Sequence, residues 1–222
     1  MVVQIKHVLG ERELQQVRRL LATAQFRKGS LSAGRSARQV KHNEEISDEE
    51  SVSELNRLVV GNLMRHPEYK LAALPHRIAV PFYSRYRQGM HYGEHIDDPV
   101  MGGENRYRSD IAVTIFLNSP DEYEGGELVI HTPFGVQKIR YPAGDAVLYP
   151  ASTRHHVTRV ADGERLVAVT WVQSLVRSYE QRDLLYQLGK TREKMLRKEP
   201  ESDDTRHVDN VYVNLVRMWS ET

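Results

Sequence analysis

The stretch MHYGEHIDDP, Met90 to Pro99, packs His91, Glu94, His95, Asp97 and Asp98 into ten residues. His95 and Asp97 are two apart. On an extended chain, residues i and i+2 point to one face, so an imidazole nitrogen and a carboxylate oxygen can converge on one cation. A second histidine would complete a two-histidine, one-carboxylate triad, which suits Fe(II) or Mn(II) and leaves three coordination positions open. Alone, a His-x-Asp pair more often marks a polar loop at a strand end. The missing ligand must come from elsewhere, and His155 and His156 stand about 60 residues downstream in LYPASTRHHV.

Ten residues after His155 comes Arg165, beyond the turn signal Ala161-Asp162-Gly163. A three-residue loop with Gly163 in the left-handed region predicts a hairpin in which Val160 pairs with Glu164 and His155 stands opposite Val169. Arg165 then faces the same side as His155, about 13 Å away at roughly 3.3 Å per residue. A two-residue turn would reverse that parity. An arginine facing inward needs an anion, and its planar guanidinium matches a carboxylate through two parallel hydrogen bonds. A ligand with one carboxylate on the arginine and an α-keto acid on the metal meets both demands, as 2-oxoglutarate does.

The elements that must hold these groups change period along the chain. Residues 1–76 read as mostly helical support. GERELQQVRRLLATAQF places Leu14, Val17, Leu20, Leu21 and Ala24 on one stripe. SDEESVSELNRLVVGNLMRHP starts at a Ser47 or Asp48 cap, carries Val52, Leu55, Val59 and Leu63, and stops before Pro67. Between them, GSLSAGRSARQVKHN is a loop leading into a short strand. Residues 77–175 turn to short β-branched runs separated by turn signals such as SPDEYEGG, TPFG and PAGD. Seven or eight such strands point to an antiparallel sandwich or jelly roll with flanking helices. Residues 176–222 return to amphipathic helices that pack on this core.

The chain of 222 residues and 40% hydrophobic content suffices for one sizeable core. Its 31 basic and 30 acidic residues leave a net charge of +1, so charge gives no support for a nucleic-acid or membrane-surface partner. With no cysteine, a thiolate metal site, an iron–sulfur cluster and a cysteine nucleophile are excluded. The N-terminus lacks a secretory pattern, and no apolar run approaches the roughly 18 residues of a membrane span. A cytoplasmic protein is expected.

Several segments together resemble the Fe(II)/2-oxoglutarate-dependent dioxygenase superfamily, and within it the small bacterial prolyl/lysyl-hydroxylase-like (PKHD-type) group. They are QVKHN near Lys41, YSRYRQGMHYGEHIDDP, DEYEGGELVI, YPAGDAVLYPASTRHHVTRV, WVQSLVRS and the closing VYVNLVRMW. The likeness spans nearly the whole chain. It implies a double-stranded β-helix (jelly-roll) core, Fe(II) held by His95, Asp97 and His155, and 2-oxoglutarate held by Arg165 with help from Tyr86. Alignment on YP, V-T and Arg165 favours His155 over His156. The implied reaction consumes O2 and 2-oxoglutarate, releases succinate and CO2, and hydroxylates a C–H bond, with L-ascorbate as a reductant. Asp97 favours hydroxylation over halogenation, because related halogenases lack this carboxylate. The resemblance leaves the substrate open among amino-acid-like, peptidyl and siderophore-like molecules, and leaves oligomeric state open. A jelly-roll metalloprotein of other chemistry, lacking a use for Arg165, and a non-catalytic iron or 2-oxoglutarate sensor are the alternatives.

Two positions depart from the family pattern, Arg154 for leucine and Arg159 for proline, and both are expected to add charge at the rim of the site. Glu94 should face away from His95 and Asp97. His131 reads as a strand-end residue, Asp98 as a turn residue, and Trp171 and Tyr149 as core. Arg85 and Arg87 are expected to be solvated. Gly125-Gly126 predict a bulge or tight strand entry.

Overall fold

The computed structural model describes every residue except Ala33, Arg35, Ser36 and Thr222. Its strands, in chain order, are β1 (Val3–Ile5), β2 (Phe26–Lys28), β3 (Lys41–His42), β4 (Glu44–Ile46), β5 (Pro75–Ile78), β6 (Phe82–Arg87), β7 (His91–His95), β8 (Val100–Met101) and β9 (Tyr107–Arg108). They continue as β10 (Ile111–Phe116), β11 (Tyr123–Gly125), β12 (Leu128–Thr132), β13 (Gly135–Ile139), β14 (Ala146–Pro150), β15 (His155–Val157) and β16 (Val160–Ser174). The larger sheet runs β1-β14-β10-β16-β6-β4-β2, with β5 and β11 also on β16, and the smaller runs β13-β12-β15-β7-β3. The two form a jelly roll.

Alternation along β16 shows how the larger sheet serves two cores. Val167, Val169 and Trp171 face the smaller sheet, while Leu166, Ala168 and Val172 face the helices. Strand β10 does the same, with Ala112 and Phe116 inward and Ile111, Val113 and Ile115 outward. A sheet covered on both faces reads as a continuous apolar run, which explains the unbroken burial of Ile111–Phe116.

Three helices cover the outer face. α1 (Glu11–Thr23) buries Val17 and Leu21. α2 (Glu49–Arg65) begins where Asp48 accepts a hydrogen bond from the Ser51 N–H, so Asp48 rather than Ser47 is the cap, and it buries Leu55, Val59 and Leu63. Each such buried aliphatic side chain contributes about 1.5–3 kcal/mol. Pro67 ends α2 but also starts α3 (Pro67–Ala73), a helix not predicted from the sequence. Its fixed φ and missing N–H suit a first helical position. α4 (Tyr179–Lys198) and α5 (Asp203–Trp219) are capped by Ser178 and Ser202 and pack on each other, with α4 also on α3.

The N-terminal segment also contributes strands β1 to β4 to both sheets. Of the loop GSLSAGRSARQVKHN, the parts at residues 33, 35 and 36 lie outside the described residues, and the rest forms two short 3-10 turns ahead of β3. RIAVPFYSRY, read as one strand, is two, β5 and β6, parted at Pro81. The expected hairpin at Ala161-Asp162-Gly163 is absent. Gly163 does have a left-handed φ of 72°, but it sits inside β16, paired with Tyr123 of β11. Strand β15 belongs to the smaller sheet and β16 to the larger, so the chain crosses between layers instead of turning back.

Candidate active site

His95 ends β7 and is registered directly opposite His155, the first residue of β15. Asp97 follows on the irregular segment after β7. Its Oδ1 lies 3.7 Å from His95 Nε2 and 3.8 Å from His155 Nε2. All three side chains are over nine-tenths buried. Each histidine has its Nδ1 on a backbone carbonyl two residues back, Gly93 at 2.8 Å and Thr153 at 2.9 Å. A carbonyl only accepts, so Nδ1 carries the proton and the Nε2 lone pair points at Asp97. Tyr92 stacks on His95 at 3.8 Å between centroids, and Tyr149 meets His155 edge-on at 5.1 Å.

Burial sets the charge states of this cluster. It lowers His95 to about 4, with His155 adding to the effect, and lowers His155 to about 4. Both imidazoles are therefore neutral donors at neutral pH. Burial raises Asp97, against the pull of the Trp171 indole N–H and of His95. The indole N–H and Asp97 are neighbours that miss hydrogen-bond geometry, so Asp97 Oδ2 and Trp171 Nε1 are both buried without a partner. Two neutral imidazoles and one carboxylate with an orphaned oxygen fit a ferrous ion, and a divalent charge offsets the penalty that raises Asp97.

Arg165 enters the same cavity from β16 and is 1% exposed. Its Nε has no partner, and among the described residues it forms no ion pair. Its guanidinium lies 5.0 Å from the ring centroid of Tyr86, the residue opposite it in the register, and 5.9 Å from that of Phe116. Aromatic faces stabilise the cation but do not replace its hydrogen bonds. Burial pushes Tyr86 up to about 12, with Arg165 opposing, so Tyr86 is a neutral donor. The inward direction of Arg165 was expected, although the hairpin used to derive it is not there. Pairing with β6, where it stands opposite Tyr86, sets its face instead.

The cavity, about 660 Å³, lies between the sheets. Trp171, Tyr149, Asp98 and Lys41 line it, so Trp171 and Tyr149 are wall residues as well as core. Lys41 Nζ is held by Glu45 at 2.5 Å and by Ser32 at 3.0 Å, and Glu45 is itself buried. No periodicity announces this buried ion pair, because both partners come from a loop-like polar stretch. Arg154 and Arg159 do not line the cavity: Arg154 pairs with Glu94 and Arg159 donates to the Gly89 carbonyl. Their charge therefore does not reach the rim as expected. Arg85 is not solvated but bound to Glu44 at 2.7 Å, with Glu164 at 3.6 Å. His91 stands apart, its ring 4.7 Å from that of His42. Gly125 and Gly126 both have positive φ, and the β11–β16 register shifts at Gly125, a bulge.

A model of the 2OG-Fe(II) oxygenase superfamily matches residues 81–173 of this chain, and a model of the PKHD-type hydroxylase C-terminal domain matches residues 180–221. Jelly roll and match together make the protein a 2-oxoglutarate-dependent oxygenase, a family that uses Fe(II), O2 and 2-oxoglutarate. A PKHD-type hydroxylase of Thioalkalivibrio sulfidiphilus is 48% identical, and one of Acaryochloris marina 40% identical, each over 100% of both chains. The chain belongs to the PKHD-type hydroxylases. Among solved structures, an oxidoreductase of the 2OG-Fe(II) oxygenase family from Burkholderia pseudomallei aligns with a TM-score of 0.56 at 17% identity, covering 77% of this chain and 82% of that one. A prolyl hydroxylase of Trichoplax adhaerens, solved with a hypoxia inducible factor peptide fragment, aligns at 0.55 and 18% identity, over 83% of this chain and 86% of that one. At these identities the likeness concerns the fold.

Proposed function

We propose that His95, Asp97 and His155 hold Fe(II), that Arg165 and Tyr86 receive the far carboxylate of 2-oxoglutarate, and that, of the amino-acid-like, peptidyl and siderophore-like candidates, the substrate is peptidyl. The observation that carries this reading is the buried, unpaired Arg165 guanidinium in the same cavity as two neutral imidazoles and a carboxylate. Iron with its cosubstrate supplies the oxidising power, consuming O2 and 2-oxoglutarate and releasing succinate and CO2 as one oxygen atom enters a C–H bond. The protein supplies position. The carbonyls of Gly93 and Thr153 fix the imidazole tautomers. Arg165 orients the cosubstrate by a two-point contact, and the rings of Tyr92, Tyr149 and Trp171 exclude water.

The choice of substrate class rests on the cavity mouth. Leu31, Val80, Ile96 and Val100 line it and are more than half exposed. They share the mouth with exposed Arg38, Arg77, Asp98 and Asn105, and a mixed apolar and polar rim around a cavity of about 660 Å³ suits an extended peptide, with side chains and backbone to contact, better than a single small amino acid. Siderophore-like molecules of comparable size fall within the same class of shape. L-Ascorbate would act as an outside reductant that restores Fe(II) after turnovers without substrate. The proposed site of action is the cytoplasm; no helix among the described residues is long and apolar enough to cross a membrane. In this reading residues 77–175 form the oxygenase core, with 1–76 and 176–222 supporting it.

The test is a panel of peptides and free amino acids incubated with Fe(II), 2-oxoglutarate and O2. Succinate release and gain of one oxygen atom by the substrate are read together. Peptides should stimulate succinate release above the substrate-free rate, His155→Ala should abolish it, and Ile96→Asp should raise KM with little change in kcat. Stimulation by free amino acids alone would contradict the peptidyl assignment. Ligand binding with no succinate from any substrate would favour a sensor.

A further inference from the structure

On the opposite face of the strands that carry His95 and His155, a second set of donors converges. Glu94 of β7, His131 of β12 and His156 of β15 place one ligand atom each within 4.8 Å of one another. The alternation of side chains puts them on that face. With His95 and His155 turned inward, Glu94 and His156 turn outward. His131 follows Ile130, the partner of His155 in the register, and so joins them on that outer face.

His131 Nε2 lies 3.1 Å from Glu94 Oε2 and 3.4 Å from His156 Nδ1. One nitrogen facing both a carboxylate and a second imidazole nitrogen cannot satisfy both well. If its proton goes to Glu94, the bond to His156 needs that ring to donate into a nitrogen with no lone pair left. A shared cation satisfies all three at once. Bonds of about 2.0–2.2 Å to nitrogen and oxygen ligands at tetrahedral angles separate the ligand atoms by roughly 3.3–3.5 Å, close to the spacing observed. Arg154 takes the other oxygen, Oε1 of Glu94, at 3.4 Å and leaves Oε2 free to bind.

We propose that Glu94, His131 and His156 form a second, solvent-facing divalent-cation site, back to back with the first and suited to Zn(II). Two imidazoles and one carboxylate favour late first-row ions, and the open side admits water as the fourth ligand. The proposal does not depend on the oxygenase chemistry of the inner site.

The test is equilibrium dialysis of the metal-free full chain against Zn(II). Wild type should bind two equivalents, and His95→Ala/Asp97→Ala, which removes the inner site, should keep one. Adding His131→Ala to that variant should abolish the remaining equivalent, and Glu94→Gln should weaken it. If the inner-site variant does not fold, the comparison of wild type with His131→Ala, two equivalents against one, decides. One equivalent in wild type would leave a hydrogen-bonded triad with Arg154 and overturn the second site. So would a second equivalent that survives His131→Ala.

Discussion

Arg165 is buried, its Nε lacks a hydrogen-bond partner and it forms no ion pair among the described residues, an imbalance that 2-oxoglutarate would correct. Arg165→Ala should weaken 2-oxoglutarate binding by about 3 kcal/mol, roughly a hundredfold, and Arg165→Lys should recover only part of it, because an ammonium cannot make the two-point contact. Titration calorimetry of the Mn(II)-loaded protein checks both. The buried histidines make a separate prediction. In the metal-free fold His95 and His155 are lowered to about 4 from 6.5, so the unfolded chain binds more protons between those values. Stability therefore rises with pH across that window and is lost as pH falls from 6.5 toward 4. Replacing both by glutamine should flatten that part of the curve, as read by urea unfolding at stepped pH. At this scale the His95-x-Asp97 spacing was legible, because it is local and has the period of an extended chain. The outward cluster was not, since Glu94, His131 and His156 are close only once β7, β15 and β12 are known to be neighbours. Trp171 looked like core because an apolar ring reads the same whether it lines a cavity or fills one.

The bulge at Gly125 shows how much a connecting element controls. Its φ is 73°, and an added Cβ would lie 2.2 Å from the Arg159 carbonyl oxygen. Gly125→Ala should cost at least about 1–3 kcal/mol through strain and forced displacement. Denaturant unfolding measures the loss, and Gly103→Ala, where nothing lies within 4 Å of the added carbon, is the control for a left-handed glycine without crowding. Gly126 beside it would bring a Cβ to 3.1 Å from Arg165 Cδ, so the bulge also makes room for the arginine. The helices α1 and α2 could be read from their stripes and caps. The connection from β15 to β16 could not: Ala-Asp-Gly with a left-handed glycine looks the same in a hairpin as in a strand passing from one sheet to the other. Only pairing with β11, some forty residues earlier, separates the two. Pro67 misled similarly, because proline both ends one helix and opens the next.

Across the whole molecule, the inner site ties elements from distant parts of the chain, so its ligands should stabilise the fold. A divalent ion at a free concentration of a hundred times its Kd adds about 2.7 kcal/mol, or roughly 5–10 °C in Tm for a chain of this size. Differential scanning fluorimetry with Mn(II) should show that rise in His131→Ala, which lacks the outer cluster, and not in His131→Ala/Asp97→Ala. The class of fold was legible at this scale because the change from helical to alternating periodicity is strong and turn residues separate the runs. Beyond the short strand expected after the loop, which is β3, the pattern hid β1, β2 and β4, each only three residues long, in the N-terminal segment. Titration of the anaerobic Fe(II)-loaded protein with 2-oxoglutarate, followed by the visible metal-to-ligand charge-transfer band, tests the inner site most directly. Wild type should develop the band with saturation, Arg165→Ala should need much more 2-oxoglutarate, and His155→Ala should lose the band. No band in wild type despite bound iron, or an unchanged titration in Arg165→Ala, would contradict the site.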